Sequence, residues 1–512
     1  MVIVRGFESA VLVAGVVLAL SLAATGPVRR ELRNTPLLTL FALAGAVACG
    51  LAVMAIFGWP TVLHGTSLTV AVIVAGAWWR ARPTYGNGRS LPPGSLAIHE
   101  SIRAIDDRNY YLDRAARYGP IFKMSQFGRP VVCVLGLGRA RRLLQDESES
   151  LGPAALSYNA LFPKGTLRYM NEQDHRNEMP LFRAAFATLD LQPNEQAIRN
   201  MCRQTLRALS IGSANNAAGV APNPFLERWV ERSLACVFFG VEPNSEQAAR
   251  LVALQSQVAL NHRTGLRWRS RTTKVFSEAI HELKAVGSKS AGDGAVSSAS
   301  ALGDLLKRDP FFLDDANRAQ NLFLGYRLAI KDVNGLLQWI LSMLTENPHW
   351  QDRMAAAEAS RDNSFRSQPR DLGGRIVFET LRMHQSEYLY RRLTKPLAID
   401  GFQIPAGWLL RICVHESHRD SAIFAEPNRF NPDRFADATF GRNEYSPFGA
   451  DSRACIGVGV VHVLGRIFVE ELCGAYSWRL LRDGPPKHGT RHHDHWHPNP
   501  NRRFVFTEKP PS

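Results

Sequence analysis

No two cysteines stand in a CxxC spacing, and only seven occur in 512 residues: Cys49, Cys133, Cys202, Cys236, Cys413, Cys455 and Cys473. A set this sparse, scattered and odd in number excludes a disulfide framework and a zinc module, and it suits a reducing compartment. The spacings do not fit a ferredoxin cluster either. No internal repeat is present. The net charge is +15, yet no recognisable nucleic-acid-binding module accompanies it, so no nucleic-acid partner is expected. Before residue 84 there are six arginines and two glutamates, so most of the basic excess belongs to the remainder of the chain. Such a balance suits acidic protein partners or anionic lipid. Hydrophobic residues make up 45% and charged residues 21%, which excludes disorder or a fibre as the dominant state.

Charge is missing altogether from three apolar stretches, Ser9–Thr25, Leu37–Gly58 and Thr61–Trp79. Spanning a bilayer takes about 20 apolar residues, within a range of about 17–25. A cleaved signal peptide ending near Ala23-Ala24-Thr25 is the rival reading of the first stretch, but it leaves the two behind it unexplained. Arg29, Arg30 and Arg33 follow the first stretch, and Arg80 and Arg82 follow the third. With three spans both clusters face the cytoplasm. Residues 1–82 are therefore predicted to be a membrane anchor of three transmembrane helices, 83–95 a Gly/Pro-rich linker, and 96–512 one large catalytic domain on the cytoplasmic side. The membrane could be a bacterial inner membrane or the endoplasmic reticulum.

Within that body, Tyr118–Leu135 reads as a β-hairpin. Apolar residues at i, i+3 and i+4 mark long helices, for example Gly335–Leu344 and Val460–Leu472. The Ser, Gly and Ala of residues 286–303 predict a mobile loop between helices. Gly136-Leu137-Gly138 after a strand is half of a dinucleotide fingerprint, but its third glycine position is Arg141 and no βαβ unit surrounds it. A strand turning into a helix is the reading there. The fold class is mainly α with small β-sheets.

One stretch carries chemistry: Phe448-Gly-Ala-Asp-Ser-Arg453-Ala-Cys455-Ile-Gly457, a loop followed at once by a helix. A cysteine at a helix N-terminus has its thiolate favoured by the dipole and by unpaired N–H groups. It can be a nucleophile, an axial metal ligand or simply buried. Elsewhere, Glu379 and Arg382 stand at i and i+3 on one helical face, where they can pair.

Taken together and in order, Glu379-x-x-Arg382, the strand pair Leu397–Pro405, His418-Arg419-Asp420, Pro432-Asp433-Arg434-Phe435 and the cysteine loop resemble the cytochrome P-450 family of haem-thiolate enzymes. The resemblance runs from about Tyr118 to the C-terminus. It implies the cytochrome P-450 fold, here preceded by the transmembrane helices. It also implies haem b, with Cys455 as the axial thiolate ligand of the iron and Phe448 in the cofactor loop. Glu379, Arg382 and Arg434 match a buried structural ion-pair triad. Arg453, His175 and Arg391 (or its neighbour Arg392) match contacts to the haem propionates, while a further arginine of the family falls on Met179. The loop's usual second glycine is Asp451.

A larger departure lies on the distal helix, where Lys331-Asp332 occupies the positions of the family's acid–alcohol pair, which relays protons. Asp332 could deliver a proton itself, since a carboxyl in an apolar pocket has a raised pKa. The alternative is haem chemistry that is not a monooxygenation: peroxide-driven oxidation, rearrangement or dehydration. A second alternative is a non-catalytic haem-binding membrane protein. Arg327 is either a pocket cation or a surface charge, and Phe323, Tyr326, Tyr388, Leu389 and Tyr390 are candidate pocket walls by position. The histidines of Arg491–His497 lack the spacing of a structural metal site. The main expectation is a monooxygenase that inserts one oxygen atom into an apolar, lipid-soluble small molecule, such as a terpenoid, a fatty acid or a secondary metabolite. Its electrons would come from a separate reductase or ferredoxin, and its other partner is membrane lipid.

Overall fold

The computed structural model describes residues 91–126, 129–154, 165–258, 265–293, 299–359, 371–384, 389–437, 439–449, 451–483, 487–488 and 496–510. The three apolar stretches, residues 83–90 of the expected linker, Tyr388 and residues 491–495 lie outside these. Among the described residues no helix is long and apolar enough to cross a membrane.

The chain divides into two compact units. The first runs up to Val134 and takes in Arg391–Arg411. Its β-branched and aromatic residues form the predicted hairpin, β2 (Ile121–Gln126) against β3 (Arg129–Val134), with Phe122 opposite Cys133 and Met124 opposite Val131. Strand β1 (Gly94–Ser95) pairs in parallel with β2, so the expected linker already contains a strand of the sheet. Strands β5 (Leu389–Leu393) and β8 (Leu409–Ile412) extend it in the order β1-β2-β3-β8-β5. Strands β6 (Leu397–Ile399) and β7 (Phe402–Ile404) make the anticipated antiparallel pair. Helices α1 (Ile98–Asp106) and α2 (Tyr110–Tyr118) cover this unit. Between them the buried Glu100 carboxylate accepts from the Tyr110 hydroxyl at 2.6 Å and from Arg114 at 2.8 Å. A buried acid is tolerable here because its cation is buried with it.

Helices dominate the second unit. The chain leaves β3 into α3 (Leu137–Asp146), the strand-to-helix turn that the missing third glycine implies. After β4 (Leu151–Pro153) come α4 (Glu172–Ala187), α5 (Gln192–Ala214), α6 (Asn223–Phe239) and α7 (Glu246–Gln257). Helix α8 (Gly265–Asp293) and α9 (Ala301–Arg308) follow. The loop expected over 286–303 is thereby shortened: 286–293 and 301–303 are helical, and 294–298 lie outside the described residues. Buried Leu283 and Val286 anchor the late turns of α8, and Ser300 caps α9 by accepting from the Gly303 amide at 3.0 Å.

Helix α10 (Ala316–Glu346) is the axis of this unit, 31 residues and about 46 Å long. Asp315 caps it, and α6, α12 (Leu372–Met383) and α14 (Val458–Ala475) pack around it, which is why Leu336, Leu337, Ile340, Leu341 and Leu344 are buried on every side. Helix α11 (Pro348–Ala359) follows it directly, and the short α13 (Val414–Ser417) follows β8. Strands β9 (Tyr476–Arg482) and β12 (Arg503–Glu508) pair antiparallel near the C-terminus, with the short pair β10 (Lys487–His488) and β11 (Trp496–His497) between them in the chain.

Two contacts fix α14. Glu470 is buried against Arg199 of α5 and Arg466, while Arg203 reaches Glu471 at 2.7 Å. On the opposite flank Gly465 lets α12 approach so closely that a Cβ there would stand 2.9 Å from Val377 Cγ2. Gly465→Ala should therefore lose about 1–3 kcal/mol by overpacking, despite a helix-propensity gain of about 1 kcal/mol. Denaturant unfolding measures it, and Val377→Ala in the same chain should recover part of the loss. A G465A protein as stable as wild type would contradict this packing.

Candidate functional site

The site is built outward from Glu379 on α12, whose side chain is 0% exposed. An isolated carboxylate there would cost several kcal/mol of desolvation. Arg382, one turn on and equally buried, grips it with two parallel hydrogen bonds of 2.8 Å. Arg434, in the turn Pro432–Phe435, donates its Nε to the same carboxylate at 3.0 Å, and the Asn431 amide adds a bond of 2.9 Å. The triad implied by the resemblance is thus brought together.

Arg382 then passes the constraint on. Its Nη1 donates to the His418 carbonyl at 2.8 Å. The His418 imidazole, fully buried, accepts the Ser446 amide on Nε2 at 3.0 Å, which leaves its proton on Nδ1. Burial, then the nearby Arg382 and Arg419 charges, push the His418 pKa down to about 3. Tyr445 lies against this imidazole and donates its hydroxyl to the Phe378 carbonyl at 2.9 Å. Sequence reading had placed His418 in its motif without assigning its imidazole this role. No pattern in one chain says which backbone amide a buried histidine will meet.

From Ser446 the cysteine loop is closed by short-range bonds. The Ser446 hydroxyl donates to the Gly449 carbonyl at 2.7 Å, and Gly449 takes φ +82°, a left-handed conformation that a glycine supplies without strain. The Cys455 amide donates to the Phe448 carbonyl at 2.9 Å, and α14 begins three residues later. The ring of Phe448 packs edge-on to His462 of α14, which also meets Phe378 of α12. Burial pushes the His462 pKa down to about 4, and its Nδ1 is buried without a hydrogen-bond partner. Cys455 itself is exposed, whereas Cys133, Cys202, Cys236, Cys413 and Cys473 are buried. Burial raises the thiol of Cys236 to about 11 and that of Cys473 to about 12. An accessible sulfur on a rigid loop at a helix N-terminus is the donor that a flat, iron-carrying porphyrin requires.

Arg453 and His175 belong to the same unit as this loop, and both are largely buried. The Arg453 Nη2 donates to the Met170 carbonyl at 2.8 Å and pairs with Glu172 at 3.3 Å. Burial lowers its pKa and Glu172 opposes that shift. His175 is 3% exposed on α4, so it is not a solvated helix histidine. Arg391 is half-buried on β5, in the first unit. A buried cation two residues before the thiol, Arg453, fits a cofactor that carries carboxylates.

On α10 the Lys331 ammonium turns to α6, where it forms an ion pair with Glu227. Next to it Asn334 and Gln338 both donate to Asn223 Oδ1, at 2.9 and 2.8 Å. Leu328, Ala329 and Asp332 share a face that is only half-buried. Arg327 is neither a surface charge nor solvated: it is buried and donates to the Val258 carbonyl at 3.1 Å. Phe323 and Tyr326, expected as pocket walls, pack into an aromatic cluster with Phe238 and Phe239, and the Tyr326 hydroxyl donates to the Glu231 carbonyl. Glu172 and Glu227 were not foreseen, because each acts on a residue far away in sequence.

The cytochrome P-450 family model matches residues 336–502. An abscisic acid 8'-hydroxylase of Solanum lycopersicum is 24% identical over 432 residues, covering 78% of this chain and 87% of its own. Cytochrome P-450 26B1 of Mus musculus is 24% identical over 454 residues, covering 81% of this chain and 87% of its own. Among solved structures, the retinoic acid-bound cyanobacterial CYP120A1 shares the fold, with a TM-score of 0.64 at 19% identity over 82% of this chain and 100% of that one.

The two buried imidazoles make the site acid-sensitive. Unfolded, each titrates near 6.5, whereas folded they sit at about 3 and about 4. The unfolded chain therefore binds more protons below pH 6.5, and the stability present above that pH is lost as pH falls. Each histidine contributes a slope approaching about 1.4 kcal/mol per pH unit. Urea unfolding between pH 7 and 5.5 should show this fall, and His462→Leu should remove about half of the histidine contribution. An unchanged slope in that variant would contradict the assignment.

Proposed function

We infer from these likenesses that the chain is a haem-thiolate oxidoreductase of the cytochrome P-450 kind, a monooxygenase acting on an apolar, lipid-soluble small molecule. The observation that carries the reading is the exposed Cys455 thiol on a loop locked to the buried Glu379–Arg382–Arg434 triad. Haem held by that thiolate would supply oxygen activation: one atom of O2 would enter a C–H bond of the substrate and the other would leave as water, with two electrons from the donor and two protons. Phe448 and Gly449 shape the loop beside the ligand, and Arg453 and His175 are the residues of this unit that would hold the propionates.

Two relatives narrow the substrate. One is named for abscisic acid and the solved structure holds retinoic acid. An apolar carboxylic acid of terpenoid type is the class we propose for this chain.

Lys331 is tied to Glu227, so the proton relay of the distal helix narrows to Asp332. Its half-buried carboxyl shares a face with Leu328 and Ala329, and it would hold and pass a proton to the pocket. Electrons would arrive from a separate reductase or ferredoxin. Arg142 of α3, Arg176 and Arg183 of α4, and Arg442 are exposed, and α3 packs against the turn Asp451–Arg453 of the cysteine loop. A cleft of about 420 Å³ lined by Arg141, Arg442, Asn443 and Glu444 lies in the same unit. These charges suit an acidic donor. The three uncharged N-terminal stretches support a membrane tether with this body on the cytoplasmic side.

Turnover of a terpenoid acid with a reductase, NADPH and oxygen tests the reading. Wild type should give oxygen-dependent product, and Asp332→Asn should lower product per NADPH about tenfold or more with substrate affinity unchanged. Product formation from peroxide alone, with none from oxygen, would favour the non-monooxygenase alternative. Undiminished coupling in D332N would remove Asp332 from the relay.

A further inference from the structure

Glu172 is the first residue of α4, 280 positions upstream of the cysteine loop that it touches. Its two oxygens serve successive loop residues. Oε1 accepts the Ser452 hydroxyl at 3.2 Å, and Oε2 faces the Arg453 guanidinium at 3.3 Å from Nη2 and 3.4 Å from Nε. Eleven residues along the same helix, Arg183 donates to the Ser452 carbonyl at 2.7 Å. The loop is thus pinned to α4 at both faces of Ser452.

Arg453 has five N–H donors in a fixed fork. One of them makes a close bond, Nη2 to the Met170 carbonyl at 2.8 Å, while Nη1 has only carbonyl contacts of 3.5 Å, to Leu167 and Arg168. Its side chain is 9% exposed. Among the described residues, Glu172 is the one carboxylate paired with this buried cation. Glu172 and the Met170 carbonyl together hold the Nη2 and Nε side of the fork, and Nη1 is left on the edge with the weakest acceptors.

We propose that Glu172 is a positioning residue for the cofactor. It orients Arg453 so that the Nη1 edge is turned to a propionate, and its fixed negative charge stabilises the ferric over the ferrous state of bound haem. This rests on the haem-thiolate reading above. The positioning part follows from the contacts of Glu172 to Ser452 and Arg453, and the electrostatic part from placing a carboxylate beside a redox centre in a partly water-excluded site.

The test compares holoprotein of wild type, Glu172→Gln and Glu172→Asp by two measurements that do not use turnover. Haem loss to excess apomyoglobin should be several-fold faster in E172Q. The midpoint potential from spectroelectrochemistry should move positive in E172Q and return towards wild type in E172D, which keeps the charge. Unchanged haem loss in E172Q would overturn the proposal, as would a potential that does not move or one that E172D fails to restore. If wild type itself takes up no haem, the haem-thiolate reading fails instead, so the two failures are distinct.

Discussion

A carboxylate with no access to water organises this protein. Glu379 is 0% exposed, and two guanidiniums and a backbone amide neutralise it. Losing a partner from such a group costs about 3–5 kcal/mol, so Arg382 and Arg434 have little freedom. Because Arg382 also holds the His418 carbonyl, and His418 holds the Ser446 amide, the position of the cysteine loop follows from the neutralisation of one acid on α12. The thiol can then be exposed without being loose.

The same economy recurs where charges depart from simple expectation. Lys331 stands at a position that family likeness gives to the proton relay, yet Glu227 claims it for the seam between α6 and α10. Arg327 is claimed by the Val258 carbonyl. Arg453 keeps a buried orientation through Glu172. In each case the acceptor lies far away in sequence. What remains facing the half-open side of α10 is the set Leu328, Ala329 and Asp332, an apolar surface with one carboxyl, which suits an apolar substrate and a single proton donor.

Much of this was legible in the chain. The Glu379–Arg382 spacing fixes a helical pair whatever surrounds it, and the ordered motifs around Cys455 locate the loop and its ligand. Hairpin β2–β3, strands β6 and β7 and the long apolar helices follow from period and turn residues. What was hidden is side-chain partnership across long separations, as with Glu172 and Ser452 or Glu227 and Lys331. Local composition also misled at 286–303, where Gly and Ser suggested a loop but Leu283 and Val286 keep helix α8 docked to the core. The return of Arg391–Arg411 to the first unit is a long-range association that no local pattern announces.

The most direct measurement is the absorption spectrum of the reduced carbon monoxide complex in wild type and in Glu379→Gln. The account predicts a red-shifted, thiolate-type Soret band in wild type, and its loss to a shorter wavelength in E379Q as the loop releases its sulfur from the iron. A wild-type spectrum without the thiolate band, or an E379Q spectrum identical to wild type, would contradict it.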